Sequence, residues 1–444
     1  MAEKRGLMTE GSIAKQLILF AIPLLIGNMF QQLYNTVDSI VVGNYIGDQA
    51  LAAVNSSGPI IDMLVSFFTG LSLGASVLIS NYYGAREDKG VFCSVHTAIA
   101  LGIASSIFAT IVGVVFTPMI LSLVKVDAAV IDQSITYLRI YFLGVSGLII
   151  YNMVSGILRA VGDSKHPLYF LIVSSFINIV LDLLFVVVFK MGIAGVAIAT
   201  SIAQVASALL SIYVLVTSKE SYRLEISKIK FYYEDLRKTI KIGMPSAMQN
   251  AVVSFSNIIM QTNINVFGAY AMAGNGSYTK IDGFAILPVI SLSMALTTFV
   301  GQNKGAGNYD RIKQGAKIGT LISCGTILVL SVLVVFSAPY LLQIFSSNPK
   351  VIEYGLIMMR CLAPGYLFLT LSQVICGILR GVGKTNIPMV VLIGCWCVFR
   401  VIWVMITTNL FHNIVFVDLG WPVSWVLSTT ILIIYYYKAN WLEE

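Results

Sequence analysis

About twelve apolar runs follow one another from Leu17 to the last before Lys438. Each is roughly the 20 residues that a helix needs to cross about 30 Å of hydrocarbon. That recurrence makes the chain an all-α polytopic membrane protein before any motif is considered. The approximate spans are 14–44, 49–82, 91–122, 129–158, 166–190, 193–217, 238–268, 281–302, 314–338, 351–380, 387–410 and 418–437. With 57% hydrophobic and only 11% charged residues, the composition lies far from that of a soluble domain. The first span is too long for a cleavable signal peptide and has no small-residue cleavage site after it, so it is expected to stay in the mature protein.

Lys and Arg orient the bundle. The two ends and alternate loops (86–89, 159–165, 219–241, 304–317 and 380–384) together hold 21 of the 28 basic residues. Cytoplasmic loops carry such an excess, which predicts both termini in the cytoplasm; the chain is expected in the plasma (inner) membrane. Topology accounts for the net charge of +7, so no nucleic-acid partner is implied. The six cysteines (Cys93, Cys324, Cys361, Cys376, Cys395 and Cys397) lack metal-type spacing and read as buried, inert thiols.

The chain repeats itself. "GILRAVGDSKHP" from Gly156 and "GILRGVGKTNIP" from Gly377 share seven of twelve residues at an offset of 221. The same offset pairs Arg139 with Arg360, and an offset of 222 pairs Pro23 with Pro245, Asn28 with Asn250 and Asn35 with Asn257. Gly383-Lys384-Thr385 is not the end of a phosphate-binding loop, because that motif needs glycine where Ile378 stands. Instead the segment reads as a cytoplasmic turn doubled by an internal repeat. Each half has six spans, so both enter the membrane in the same direction and form a parallel repeat, an arrangement found in transporters. The expected organisation is a six-helix lobe over 1–217, a charged cytoplasmic linker over 218–237 and a second six-helix lobe over 238–444.

An ionisable side chain inside the bilayer costs about 2.5–3.5 kcal/mol on insertion scales, so each one needs a reason. Deep in spans lie Asp38, Asp62, Arg139, Asp182, Asp282, Arg360 and Arg400. Asn178 and Asp182 are four apart and share one helix face. At about 1.5 Å per residue, Asp38, Asp182 and Thr200 all fall in the outer half of the membrane. Two carboxylates, an amide oxygen and a hydroxyl suit a small hard cation, and the two carboxylates could instead hold a proton between them. At the repeat offsets, Met260, Phe399 and Trp403 stand opposite Asp38, Asn178 and Asp182, so the second half is expected to have exchanged oxygen for hydrocarbon. The bland alternative is that the acids only pin neighbouring helices. Asp62 shows no such partners, Asp282 is expected to cap an outer helix end, and Arg139 and Arg360 read as structural.

The seventh span carries Asn250, Ser254, Asn257 and Gln261 at three- and four-residue spacing, one polar stripe. With Asn35, these are candidates to line a substrate cavity. A cavity of net negative character would suit organic cations, which aromatic and Met side chains also grip.

"FAIPLLIGNMFQQLYNTVDSIVVGNYIGDQALAAVN", with Pro23, Asp38, Val42-Gly43 and the stretch Gly47–Ala53, resembles the first helix and following turn of multidrug and toxic compound extrusion (MATE) transporters. The resemblance covers almost the whole chain. It implies two six-helix bundles around a central cavity and cation-driven drug export by alternating access. Within the family the DinF-like pattern maps onto Asp38, Asn178, Asp182 and Thr200, with Na⁺ or H⁺ as coupling ion. The NorM-like pattern of carboxylates on the seventh and tenth spans is not matched. The chain is expected to act as a monomer, with organic cations as cargo and no further cofactor.

Two other readings compete. A lipid-linked saccharide flippase of related fold would need a cavity lined with Arg and Lys, whereas most basic residues here fall in loops. An intramembrane enzyme could be read from Gly70-Leu71-Ser72-Leu73-Gly74, which matches G-x-S-x-G, but no strand precedes it and close helix packing explains the glycines better. His96, His166 and His412 are isolated, so no catalytic site is expected.

Overall fold

The structure, a computed structural model, describes residues 7–124 and 126–442. Twelve long helices follow in order: α1 (Ile13–Ile46), α2 (Asp48–Gly84), α3 (Asp88–Leu123), α4 (Ile131–Ala160), α5 (Lys165–Val188), α6 (Gly192–Thr217), α7 (Tyr233–Asn265), α8 (Ala269–Gly305), α9 (Tyr309–Phe345), α10 (Pro349–Gly381), α11 (Asn386–Phe411) and α12 (Ile414–Lys438). Among the described residues, eleven of these are long and apolar enough to cross a membrane. The exception is α7, long enough at 33 residues but diluted by its charged first turns and its polar stripe.

Several helices outrun the apolar runs that announce them. The eighth was expected over 281–302 and begins twelve residues earlier, at Ala269. Its Gly274 and Gly276 argue for a loop by propensity. Packing overrides them: a Cβ at Gly274 would lie 2.7 Å from the Val351 carbonyl oxygen, so α8 and α10 approach there as only glycine permits.

The doubled turn is the same structure twice. After α4, the Gly162 amide bonds to the Arg159 carbonyl at 3.0 Å and the Asp163 amide to Leu158 at 2.9 Å. After α10, Gly383 bonds to Arg380 at 2.8 Å and Lys384 to Leu379 at 2.9 Å. Both glycines are left-handed, with φ of 88° and 86°. This pair of bonds closes a helix end and needs a residue without Cβ at its pivot, which is why the two copies keep Gly and diverge in the polar residues after it.

Contacts divide the chain into two compact units. One is built around Ile26–Ala247 and the other from Met8–Leu25 with Met248–Glu444. The division does not follow 1–217, 218–237 and 238–444. It falls inside α1 and α7, two residues after Pro23 and two after Pro245, at positions 222 apart like the repeat itself. A proline in a helix interior removes one backbone hydrogen bond, so each helix changes its packing partners next to its weakest turn. In the first unit α4 is the hub, packing on α2, α3 and α6; in the second, α10 packs on α8, α9 and α12.

The segment after α6 is fastened to α3. The Glu225 amide donates to His96 Nε2 at 3.0 Å, the Tyr232 amide to Thr97 Oγ1 at 3.2 Å, and Ser94 Oγ to Asp235 Oδ1 at 2.6 Å. His96 Nδ1 lies 2.7 Å from the Phe92 carbonyl, which accepts its proton and leaves Nε2 as acceptor.

The G-x-S-x-G stretch is a helix contact. A Cβ at Gly70 would lie 2.5 Å from Ala247 backbone atoms, and one at Gly74 2.4 Å from the Thr239 carbonyl oxygen and 2.5 Å from the Gly243 nitrogen. Ser72 is buried and donates to the Thr69 carbonyl. Gly74→Leu must therefore push α7 away from α2, because backbone atoms cannot rotate aside. The expected cost is about 1–3 kcal/mol or more. Thermal unfolding of the purified protein tests this against Gly58→Ala, on the same helix with open space around it, which should melt at or above wild type.

Candidate functional site

Asp38 on α1, Asn178 and Asp182 on α5 and Thr200 on α6 come together inside the first unit. Asn178 Nδ2 donates to Thr200 Oγ1 at 3.4 Å, and Thr200 Oγ1 donates to Asp38 Oδ2 at 3.4 Å. The Asp182 carboxylate faces that of Asp38. Burial is nearly complete: Asp182 is 0% exposed, Asn178 1%, Thr200 6% and Asp38 7%. Tyr34, one turn before Asp38 on α1, and the buried Tyr137 of α4 lie within electrostatic range of Asp38.

What distinguishes the cluster is a surplus of acceptors. Asp38 Oδ1, Asn178 Oδ1 and both oxygens of Asp182 meet no hydrogen-bond donor among the described residues. Four buried oxygens without donors, two of them on one carboxylate, cost several kcal/mol unless a proton or cation meets them. The helices are also irregular there. A wide, π-type turn starts at Leu183, directly after Asp182, and another at Val42, one turn after Asp38. Such turns add a residue to the helix and re-aim the side chains beside them.

The second unit fills the equivalent place differently. α11 begins at Asn386 as α5 begins at Lys165, 221 residues apart, but its wide turn covers Ile393–Phe399 and so comes earlier along the helix. The extra residue moves the register to 222. Asn178 and Asp182 therefore correspond to Arg400 and Val404, not to Phe399 and Trp403 as the unbroken offset predicted. Burial agrees: Arg400 is 1% and Val404 0% exposed, while Phe399 and Trp403 are half-buried. The second half has not simply exchanged oxygen for hydrocarbon. Arg400 donates from Nε and Nη2 to Ser424 Oγ at 2.9 and 2.7 Å, and its guanidinium lies 4.3 Å from the Trp421 ring centre and 5.5 Å from that of Trp396. Where the first unit gathers acceptors, the second holds a fixed cation of its own between indole faces.

Two segments of the chain, 23–184 and 245–406, each match the family model MatE. The chain belongs to the MatE family. The two matches begin and end 222 residues apart, the register that places Arg400 opposite Asn178. YoeA of Bacillus subtilis (strain 168), named a probable multidrug resistance protein, is 30% identical, with 98% of this chain and 96% of the relative covered. YpnP of the same organism, likewise a probable multidrug resistance protein, is 29% identical over 98% of this chain and 97% of its own length. A solved structure described as the outward-facing conformation of a multidrug resistance MATE family transporter of the MOP superfamily matches with a TM-score of 0.90 and 21% identity, covering 97% of each chain. That likeness speaks for the fold. MatE proteins are membrane transporters, not enzymes.

The other polar residues of this MatE chain divide between the units. Asn35 lies exposed on α1 in the first. In the second, Asn250, Ser254 and Gln261 are half-buried and Asn257 is exposed along α7. Gln261 accepts from Asn275 of α8 and donates to Asn265 at 2.9 Å. Asp62 is exposed on α2, within electrostatic range of Tyr141. Arg139 and Arg360 are both exposed. Asp282 caps nothing: with α8 starting at Ala269 it sits mid-helix, bonded to Tyr278 and Tyr366. Asp418 escaped notice because it opens the last apolar run; it is fully buried on α12, and neither oxygen has a hydrogen-bond donor among the described residues.

Proposed function

We propose that the chain is a secondary active exporter of organic cations and drug-like molecules, driven by Na⁺ or H⁺ at Asp38, Asn178, Asp182 and Thr200 and working by alternating access. The observation that carries the reading is the set of four buried acceptor oxygens without donors. A buried group of this kind is tolerable when a mobile cation supplies the missing charge, and it then reports whether that cation is present. The donor set fits the ion: hard oxygens from two carboxylates, an amide and a hydroxyl suit Na⁺, and the facing carboxylates suit a shared proton. The pattern is that of the DinF-like branch. The names of the B. subtilis relatives as multidrug resistance proteins support the cargo class.

In this reading the cation ties α1 to α5 and α6, and Pro23, where α1 lacks a backbone bond, is the point at which the helix yields when the ion leaves. The protein works as a monomer in the plasma membrane with both ends in the cytoplasm, and the polar residues Asn35, Asn250, Ser254, Asn257 and Gln261 meet the cargo. Arg400 lends no support to an anionic lipid-linked cargo, since it is buried against tryptophan.

The deciding experiment is export of a fluorescent organic cation by purified protein in liposomes under an imposed Na⁺ or proton gradient. Export that follows one gradient and stops when it is collapsed is the expected result, and the effective gradient names the ion. A folded protein that moves the probe under neither gradient sinks the proposal.

A further inference from the structure

The second unit holds a carboxylate that the coupling site does not use. Asp282 lies thirteen residues into α8, where an acid has a standing cost in hydrocarbon. It is only half-buried, whereas the two side chains that hold it are nearly sealed: Tyr278, one turn earlier on α8, and Tyr366 of α10 are each 1% exposed. Tyr366 Oη donates to Asp282 Oδ1, and the one proton of Tyr278 Oη is shared between the Tyr366 oxygen and Asp282 Oδ1, the latter at 3.3 Å. Tyr366 is delivered there by the tight turn Ala363–Gly365 that interrupts α10, and its ring rests 6.1 Å from that of Trp425.

Both hydroxyls converge on one oxygen and leave Oδ2 for another partner. A carboxylate facing lipid would have no compensation, so the half-exposed side of Asp282 calls for a polar or cationic partner. Asn275 and Gln261, bonded to each other, continue the polar surface two turns along α8 and onto α7.

We infer that Asp282, positioned by Tyr278 and Tyr366, binds the positively charged group of the cargo in the second unit. The inference rests on the exporter reading above and gives it a recognition residue. The chemistry selected is a monovalent organic cation, with its charge at Oδ2 and its apolar body against neighbouring aromatic surface. Because the tyrosine hydroxyls already hold the carboxyl group in place, little reorganisation is needed when the cation arrives.

The test uses full-length protein in lipid nanodiscs and two fluorescent probes, ethidium as the cation and N-phenyl-1-naphthylamine as an uncharged comparison. Asp282→Asn keeps an oxygen that accepts both tyrosine hydroxyls, so it removes the charge without dismantling the cluster. Expected are a rise in the ethidium Kd of about 10- to 100-fold, the size of losing a charge-assisted contact, and an unchanged Kd for the neutral probe. Asp282→Glu should recover part of the ethidium affinity. Tyr366→Phe keeps the charge and should change it only a few-fold. Ethidium binding by Asp282→Asn at wild-type affinity overturns the inference, as does equal loss of both probes. So does a Tyr366→Phe variant as weak as Asp282→Asn, since the cluster would then be structural. If wild type exports ethidium and Asp282→Asn exports it as well, this site fails and the exporter reading stands; if wild type neither binds nor exports ethidium, both fail.

Discussion

Asp182→Asn, and separately Asp38→Asn, will abolish gradient-driven export in liposomes while leaving the protein folded. A cation seated between the two carboxylates is held by both, and removing one charge from a buried pair of this kind costs about 3–5 kcal/mol, or roughly 150- to 5,000-fold in ion affinity. Export should fall to background at ordinary ion concentrations. Stability should move the other way. Both oxygens of Asp182 lack donors in the described structure, so an amide there gives up an uncompensated charge and brings a donor that Asp38, facing it, can accept. The expected melting temperature in ion-free buffer is equal to or above wild type, with the stabilising effect of added Na⁺ or acid lost. A marked fall in melting temperature for both variants would instead make the acids helix pins. Coupled export surviving in both would move the ion site elsewhere.

Arg400 should separate packing from charge. Arg400→Ala is expected to destabilise the protein by about 3–5 kcal/mol, because it opens a large cavity between Trp396 and Trp421 in a fully buried place. Arg400→Met is expected to cost no more than about 1.5 kcal/mol. The guanidinium has one hydroxyl as its hydrogen-bond partner, Ser424 Oγ, and that hydroxyl already donates to the Trp421 carbonyl at 2.8 Å. Replacing a buried charge by an apolar chain of similar volume sheds its desolvation cost along with its cation–π contacts. Thermal unfolding of the two variants beside wild type decides the matter. If Met is as damaging as Ala, the positive charge itself is required, and the second unit depends on its built-in cation as the first is proposed to depend on a mobile one.

Much of the molecule was legible without coordinates, for reasons that can be named. Hydrocarbon imposes length and hydropathy on every spanning helix, so the spans stood out in the sequence; α7 is the least apolar of them, diluted by its charged first turns and its polar stripe. Duplication leaves identical turns, and Gly162 and Gly383 kept theirs because a left-handed pivot excludes Cβ. The four residues of the acceptor cluster were recoverable because a carboxylate inside a membrane is costly, and because helical rise alone puts Asp38, Asp182 and Thr200 at one depth.

Depth, however, is one coordinate, and the rest came from packing. Sequence alone determined the class of the protein, its helices, its doubling and the residues with reason to meet. Tertiary structure decided which did meet and how: the donors that are missing around Asp182, the start of α8 that turned Asp282 from a cap into a mid-helix acid, and the burial of Asp418. It also decided the register of α11. One wide turn adds a residue without leaving any mark in hydropathy, since the turn is made by backbone hydrogen bonds rather than by side chains. That single residue rotates the helix face by about 100°, and it puts Arg400 where the repeat, counted along the sequence, predicted Phe399.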